Sequence, residues 1–146
     1  MVSACGTGAS SNPGPMNAQS NSGEAEKAET TEKVDKVKIV NQPGVVVSMD
    51  AVLVPGSVTV IEFYADWCGA CKIIEKKLLA KIGGEPRIVL RKINIKDDTS
   101  AVAKQFDVGA LPHVRIFDGN GKLSHVLVGN SATKAGELAI KVLARK

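Results

Sequence analysis

Two cysteines three residues apart, at the point where an apolar run gives way to a helical pattern, constrain this chain more than any other feature. The run 58–64 is apolar enough to form a strand buried on both faces, and the apolar residues after Cys68 repeat at helical spacing. A cysteine at a helix N-terminus ionises readily because free backbone N–H groups stabilise its thiolate. Cys71, one turn further on, is expected to be more buried and to keep its proton longer. The pair therefore predicts one attacking and one resolving sulfur, as thiol–disulfide exchange requires.

The rest of the chain alternates strand and helix patterns. From residue 58 the order is β-α-β-α-β-β-α, which predicts a three-layer α/β fold with a mixed sheet. Residues 119–121 are typical of a hairpin turn. The predicted strands cover residues 37–40, 45–47, 58–64, 87–95, 113–117 and 122–128, and the predicted helical segments cover 49–54, 68–82, 100–106 and 133–144, the last capped by Ser131 or Thr133.

The first 33 residues differ in composition from the rest of the 146-residue chain. They contain no Ile, Leu or aromatic residue and are rich in Ser, Gly, Asn, Ala and Glu, so they cannot bury enough apolar surface to offset the entropy of ordering. We expect residues 1–33 to be a disordered tether and residues 34–146 to be one domain. No run approaches the roughly 18 apolar residues that a membrane-spanning helix needs.

Composition also disfavours several kinds of binding site. The net charge of +4 is spread over positions where basic residues often stand beside acidic ones, and the five aromatic residues are too few to line a sugar or nucleic-acid groove. A structural zinc site needs four ligands, and the remaining Cys and His residues lack zinc-finger spacing. We therefore expect no nucleic-acid partner and no metal.

Two motifs together carry a resemblance to a known family. Residues 63–72 read Phe-Tyr-Ala-Asp-Trp-Cys-Gly-Ala-Cys-Lys, and about forty residues later 110–113 read Ala-Leu-Pro-His. This combination resembles the thioredoxin family, over nearly all of residues 37–146. Its Tyr-Ala-Asp-Trp-Cys-x-Ala-Cys-Lys form is particularly similar to the C-terminal thioredoxin-like domain of the bacterial membrane disulfide reductase DsbD. The resemblance implies a thioredoxin fold, a three-layer α/β/α arrangement with a central mixed sheet.

The resemblance also implies roles for individual residues. Cys68 corresponds to the nucleophile and Cys71 to the resolving thiol, which form the redox-active disulfide without any other cofactor. Pro112 corresponds to the family's cis-proline, which with Leu111 offers a backbone edge where an extended substrate can pair like an added strand. The other positions implied to contact substrate are Trp67, Gly69, Ala70 and Gly129.

Glu62 stands where the family has a buried carboxylate. A carboxyl group in an apolar sheet has a raised pKa and can accept the Cys71 proton through water. The alternative is a strand-edge carboxylate that faces solvent, although the neighbours of Glu62 are apolar. Lys92 matches a buried lysine near that carboxylate, and a plain exposed lysine is the alternative.

Four departures from the family pattern leave the direction of electron flow open. They are Tyr64 in place of a common Trp, Ala70 and Lys76 in place of Pro, and His113 in place of Thr. We expect a thiol–disulfide oxidoreductase that acts on protein disulfides, as a reductase rather than an oxidase. The alternatives are a disulfide oxidase and a module that carries Cu(I) on the two thiolates. We expect a monomer.

The third cysteine bears on location. The stretch from Val2 to Cys5 resembles a bacterial lipobox, in which small residues precede a cysteine that becomes lipidated, although no apolar segment precedes it here. Lipidation of Cys5 would anchor the domain to a membrane and place it in the periplasm or cell envelope, where a membrane reductase must supply electrons. The alternative is an inconsequential tail cysteine in a cytoplasmic protein that draws electrons from a soluble thioredoxin reductase.

Overall fold

Five strands form one mixed sheet in the computed structural model, which describes residues 34–145. The strands are β1 (Val37–Ile39), β2 (Val58–Tyr64), β3 (Ile88–Asn94), β4 (His113–Phe117) and β5 (Leu123–Val128). Their order across the sheet is β1-β3-β2-β4-β5, with β1, β3 and β2 parallel and the remaining two pairings antiparallel. The two central strands are buried over nearly their whole length, as their apolar runs predict.

Four α-helices cover the two faces of the sheet. They are α1 (Met49–Val52), α2 (Gly69–Ile82), α3 (Ala101–Phe106) and α4 (Ala135–Ala144), and a 3-10 turn, Gly129–Lys134, precedes α4. Helices α2 and α4 pack on one face around Val60 and Leu90, whereas α1 and α3 pack on the other around Ile61 and Phe63. The predicted three-layer α/β/α thioredoxin fold is confirmed.

The contact between α2 and α4 is close at one glycine. A Cβ atom added at Gly136 would lie 2.5 Å from Cβ of Lys81, near the end of α2. The two helices therefore approach to a separation that requires a residue without a side chain.

Two local predictions are wrong. Residues 45–47 form a loop and not a strand, because the backbone of Val47 is hydrogen-bonded to the side chain of Gln105 and not to a neighbouring strand. Helix α4 begins at Ala135 without a side-chain cap, because Ser131 hydrogen-bonds the backbone of Val128 and Thr133 donates to Asn130 O within the 3-10 turn.

The tether predicted for residues 1–33, with Cys5, lies outside the described residues. Within residues 34–145, no helix has both the length and the apolar character required to cross a membrane.

Candidate active site

The cysteine pair lies at the junction of β2 and α2. Cys68 is the N-cap of α2, and its Sγ accepts a hydrogen bond from the backbone N–H of Cys71 at 3.1 Å. The two sulfurs form a disulfide across a Cα–Cα distance of 5.4 Å. Cys68 is 6% exposed and Cys71 is 1% exposed, and the intervening Gly69 and Ala70 lie at the surface. Cys68 is therefore the more accessible of the two cysteines.

The position of Cys68 favours its thiolate. The first N–H groups of a helix have no acceptor within the helix, and the aligned peptide dipoles place partial positive charge at that end. The N–H of Cys71 already points at the Cys68 sulfur in the disulfide form. The same donor is placed to stabilise negative charge on that sulfur when the disulfide opens.

The second motif lies at the start of β4. The peptide bond between Leu111 and Pro112 is cis, and the carbonyl of Pro112 accepts a hydrogen bond from the N–H of Gly129 at 2.8 Å. Gly129 has a φ of 66°, in the left-handed region that glycine adopts without strain. This hydrogen bond joins Pro112 to the residue that directly follows β5, so Gly129 lies next to Pro112.

Trp67 forms one wall of a cleft next to the cysteines. Its side chain is 66% exposed, and its indole N–H donates to the carbonyl of Lys96 at 2.8 Å. The cleft has a volume of about 170 Å³ and is lined by Trp67, Ile95, Asp98 and residues 109–111. The structure thus brings the predicted residues Trp67 and Leu111 to the lining of one depression.

Glu62 is fully buried in β2 on the sheet face that α2 covers, so it is not the solvent-facing carboxylate of the alternative interpretation. Neither carboxyl oxygen has a hydrogen-bond partner within the described part of the chain. Burial, with a contribution from the nearby charge of Glu75 and against the opposing charge of Lys92, raises the pKa of Glu62 to about 8. An unpartnered carboxyl group in such surroundings holds a proton at neutral pH and exchanges it in the range where thiols titrate.

Lys92 lies beside Glu62 in the register of β2 and β3, and its Nζ lies 2.9 Å from an Oε1 atom of Glu75. The same Nζ lies 4.6 Å from the centre of the Tyr64 ring. Burial acts to lower the pKa of Lys92, but the hydrogen bond and charge of Glu75 outweigh it and raise that pKa. Lys92 is therefore a half-buried cation held between a carboxylate and an aromatic ring, and not a plain surface lysine.

Glu75 was not among the residues predicted from the sequence. It lies four residues after Cys71 on α2, and that spacing places the two side chains on the same helix face. This spacing can be recognised in the sequence, but it does not show which residue of β3 the Glu75 carboxylate contacts. Glu75 connects α2 to the lysine beside Glu62.

His113 lies on the opposite face of the sheet from Glu62. It pairs with Phe63 across β2 and β4, and its ring packs edge-on against the Phe63 ring. Its Nε2 accepts a hydrogen bond from Nε of Arg115 at 3.1 Å. Burial and the charge of Arg115 lower the pKa of His113 to about 4, so the imidazole is neutral at physiological pH.

The described residues contain no group of three or more His, Cys, Asp and Glu side chains that could hold a metal ion.

Comparisons with known proteins agree on one family. The family model named Thioredoxin matches residues 46–141. Thioredoxin-T of Drosophila melanogaster is 35% identical over 92 residues, which are 62% of this chain and 57% of that protein. Protein disulfide isomerase-like 1-1 of Arabidopsis thaliana is 40% identical over 68 residues, which are 43% of this chain and 14% of that protein. The chain thus spans just over half of the first relative and a small part of the second.

Solved structures support the same assignment. Oxidised mitochondrial thioredoxin 3 of Saccharomyces cerevisiae is 27% identical with a TM-score of 0.51, and the match covers 64% of this chain and 85% of that one. A thioredoxin variant of Halobacterium salinarum, at 24% identity, shares the fold with a TM-score of 0.57 over 78% of this chain and 94% of that one. With the cysteine pair at the β2–α2 junction and a family match over most of the domain, the chain belongs to the thioredoxin family of thiol–disulfide oxidoreductases.

Proposed function

We propose that this domain reduces protein disulfides through a mixed disulfide on Cys68 that Cys71 resolves. In the first step the Cys68 thiolate attacks one sulfur of the substrate disulfide, a new S–S bond forms, and the other substrate sulfur leaves as a thiolate. In the second step Cys71 attacks the Cys68 sulfur and displaces the remaining substrate sulfur. The substrate gains two electrons, and the Cys68–Cys71 pair loses them.

The observation that carries this proposal is the unequal placement of the two sulfurs at the start of α2. Cys68 caps the helix and is the more exposed, and Cys71 lies one turn below it, almost completely buried. A reductase needs this asymmetry, because the sulfur that meets substrate has to be accessible whereas the second sulfur has to attack only from within.

Glu62 supports the second step. Cys71 has to lose its proton before it can attack, and a buried carboxyl group with a pKa near that of a thiol exchanges protons with it at little cost. We assign Glu62 the role of proton acceptor for Cys71, through water, and Lys92 the role of adjusting its charge. Glu75 raises the pKa of Glu62 and Lys92 lowers it, so both neighbours affect how readily Glu62 accepts a proton.

Substrate is proposed to lie against the rim formed by Trp67, Gly69, Ala70, Leu111, Pro112 and Gly129. Leu111 lines the cleft, and an extended substrate segment can pair with an exposed backbone edge. Gly69 and Ala70 are exposed beside Cys68 in the chain and carry no side chain larger than a methyl group.

A finer assignment concerns location and electron donor. We propose an extracytoplasmic domain similar to the C-terminal domain of DsbD, lipidated at Cys5 and supplied with electrons by a membrane reductase. The motif of residues 64–72 and the lipobox-like residues before Cys5 support it. Membrane fractionation and metabolic labelling with a radioactive fatty acid test it, with Cys5→Ser as the variant that should lose both signals. Label retained in Cys5→Ser, or activity only with a soluble cytoplasmic reductase, would contradict this assignment.

The reaction itself is tested by trapping. Cys71→Ser should accumulate a covalent complex with substrate that dithiothreitol releases, because the mixed disulfide on Cys68 is no longer resolved. Cys68→Ser is the matched control and should trap nothing, since the buried Cys71 cannot meet substrate. The proposal fails if Cys71→Ser traps no protein and the wild type does not accelerate the reduction of insulin.

The reduction potential of the Cys68–Cys71 pair decides the direction of electron flow. A value of about −270 mV is typical of a reductant and one of about −120 mV is typical of an oxidant.

A further inference from the structure

Asn94 lies at the end of β3 and connects three segments of the chain. Its side chain is buried, and its Oδ1 accepts a hydrogen bond from the N–H of Lys96 at 2.8 Å. Its Nδ2 lies 3.4 Å from Oδ1 of Asp66, and its backbone N–H donates to Oδ1 of Asn41 at 2.9 Å. A buried amide is costly unless its groups are paired, and here each group of Asn94 has a partner.

The bond from Asn94 to Lys96 holds an unusual backbone conformation. Lys96 has a φ of 66°, in the left-handed region that a lysine seldom adopts. An asparagine side chain that accepts from the N–H two residues later stabilises such a turn. The turn directs the carbonyl of Lys96 toward the indole N–H of Trp67, which donates to it at 2.8 Å.

This single contact matters because Trp67 has little else to hold it. Two thirds of its side chain is exposed, yet the ring forms a wall of the cleft beside Cys68. A wall that is fixed before substrate arrives costs less conformational entropy on binding than one that becomes ordered with the substrate.

We propose that Asn94 is a positioning residue that, through Lys96, fixes the Trp67 indole as the wall of the cleft that receives protein substrates. This inference rests on the proposed function, because it assumes that protein disulfides bind in that cleft. Asn94 does not touch the reacting sulfurs, so its loss should weaken the binding of a large substrate and leave sulfur exchange itself intact.

Trp67 is the only tryptophan of the chain, so its fluorescence reports on this wall alone. In the reduced protein, Asn94→Ala should lower the fluorescence anisotropy of Trp67 and increase its quenching by acrylamide. The KM for insulin reduction should rise about fivefold, the effect of one lost hydrogen bond, with kcat unchanged. The rate with dithiobis(nitrobenzoate), a disulfide too small to need the wall, should stay at the wild-type value.

Two further variants separate positioning from a general loss of structure. Asn94→Asp combined with Asp66→Asn keeps the oxygen that accepts from Lys96 and exchanges donor and acceptor between positions 94 and 66, so this double variant should retain wild-type anisotropy and KM. Asn41→Ala removes the partner of the Asn94 backbone without touching Lys96, and it should lower thermal stability while leaving Trp67 and KM unchanged. If Asn94→Ala does not fold, Trp67→Phe replaces it in the kinetic test, because phenylalanine keeps the ring but cannot donate to Lys96, and it should show the same rise in KM.

The outcomes distinguish this inference from the proposed function. Unchanged anisotropy and KM in folded Asn94→Ala, equal losses in the double variant of Asn94→Asp with Asp66→Asn, or an unchanged KM in Trp67→Phe would each overturn the role of Asn94 while the wild type still reduces insulin. Failure of the wild type to reduce either disulfide would instead remove the proposed function.

Discussion

The two faces of the sheet beneath the cysteines each hold a buried ionisable side chain, in opposite circumstances. Glu62, on the α2 face, has no hydrogen-bond partner among the described residues, and burial raises its pKa to about 8. His113, on the α3 face, accepts from Arg115, and burial with that charge lowers its pKa to about 4. Both are mostly uncharged at neutral pH, but only Glu62 titrates where thiols do. Burial without a partner leaves a group available for proton transfer, whereas burial with a partner fixes its protonation state.

The largest predicted effect is on the Glu62 side. The pKa of Glu62 is higher in the folded than in the unfolded chain, so its contribution to stability is fully present below about pH 4.5 and is lost as pH rises through about 8. Glu62→Gln should remove this alkaline loss, worth about 4 kcal/mol of unfolding free energy. It should also slow resolution of the mixed disulfide about 100-fold, because the side chain that we propose as the proton acceptor of Cys71 is lost.

Urea unfolding of the oxidised protein between pH 5 and pH 9 measures the first effect, and single-turnover insulin reduction measures the second. Asp50→Asn, which changes an exposed carboxylate on α1, serves as the control. It should keep the wild-type fall of the unfolding free energy at alkaline pH, which we call the alkaline limb. An unchanged limb in Glu62→Gln would show that burial does not perturb this group and would undo the contrast with His113.

The next effect is on the other face. The Arg115 guanidinium donates to His113 and to the carbonyl of Phe106, and it lies over the Phe63 ring. Arg115→Met should lower the unfolding free energy by about 2 kcal/mol, because it leaves two partly buried acceptors unpaired. Activity per folded molecule should stay near the wild-type value, since this face holds no proton acceptor for Cys71.

Thermal unfolding combined with insulin reduction tests this division of roles. Arg87→Met, at an exposed arginine, is the matched control and should change neither quantity. A loss of turnover in folded Arg115→Met that exceeds that of Glu62→Gln would reverse the assignment of the two faces.

An effect of similar size, confined to acid pH, should come from His113. The pKa of His113 is lower in the folded than in the unfolded chain, so folded stability falls as pH drops from about 6.5 through about 4. His113→Gln keeps an acceptor for Arg115 but cannot be protonated, and it should flatten this acid limb by about 2 kcal/mol, allowing for partial solvent screening. The same urea titrations, extended to pH 3.5, measure it. An alkaline limb altered in this variant would mean that the two groups are coupled through the sheet.

The smallest effects should tune Glu62 in opposite directions. Glu75→Gln removes a negative charge that raises the pKa of Glu62, and Lys92→Met removes a positive charge that lowers it. The midpoint of the alkaline limb should therefore shift to lower pH in the first variant and to higher pH in the second. Shifts of the same sign would show that the variants act by repacking and not by charge.

Much of this arrangement follows from local sequence patterns. The apolar run of β2, the helical repeat after Cys68 and the Pro112 motif each predict their element or turn, because a period of two or of 3.6 residues records which side of an element is buried. The same reasoning placed Glu62 in the sheet, since apolar residues flank it.

Pairings between distant elements could not be predicted in this way. Glu75 meets Lys92 from α2 to β3, Arg115 of β4 meets the carbonyl of Phe106 on α3, and Asn94 of β3 reaches Asn41 and Asp66. Each of these residues is unremarkable in its own segment, and its role depends on how the layers are assembled. The strand predicted for residues 45–47 is wrong for a related reason. Strand propensity does not reveal that the Gln105 side chain hydrogen-bonds both backbone groups of Val47.

The close approach at Gly136 limits how this sequence can vary over time. Every other amino acid carries a Cβ, and that atom would meet Lys81 on α2 at a distance that real structures do not contain. A larger residue would push the end of α2, and because a helix is stiff the displacement would reach Cys68 at its beginning. A position on α4, beside the end of α2 that is remote from Cys68, thereby bears on the geometry of the redox centre.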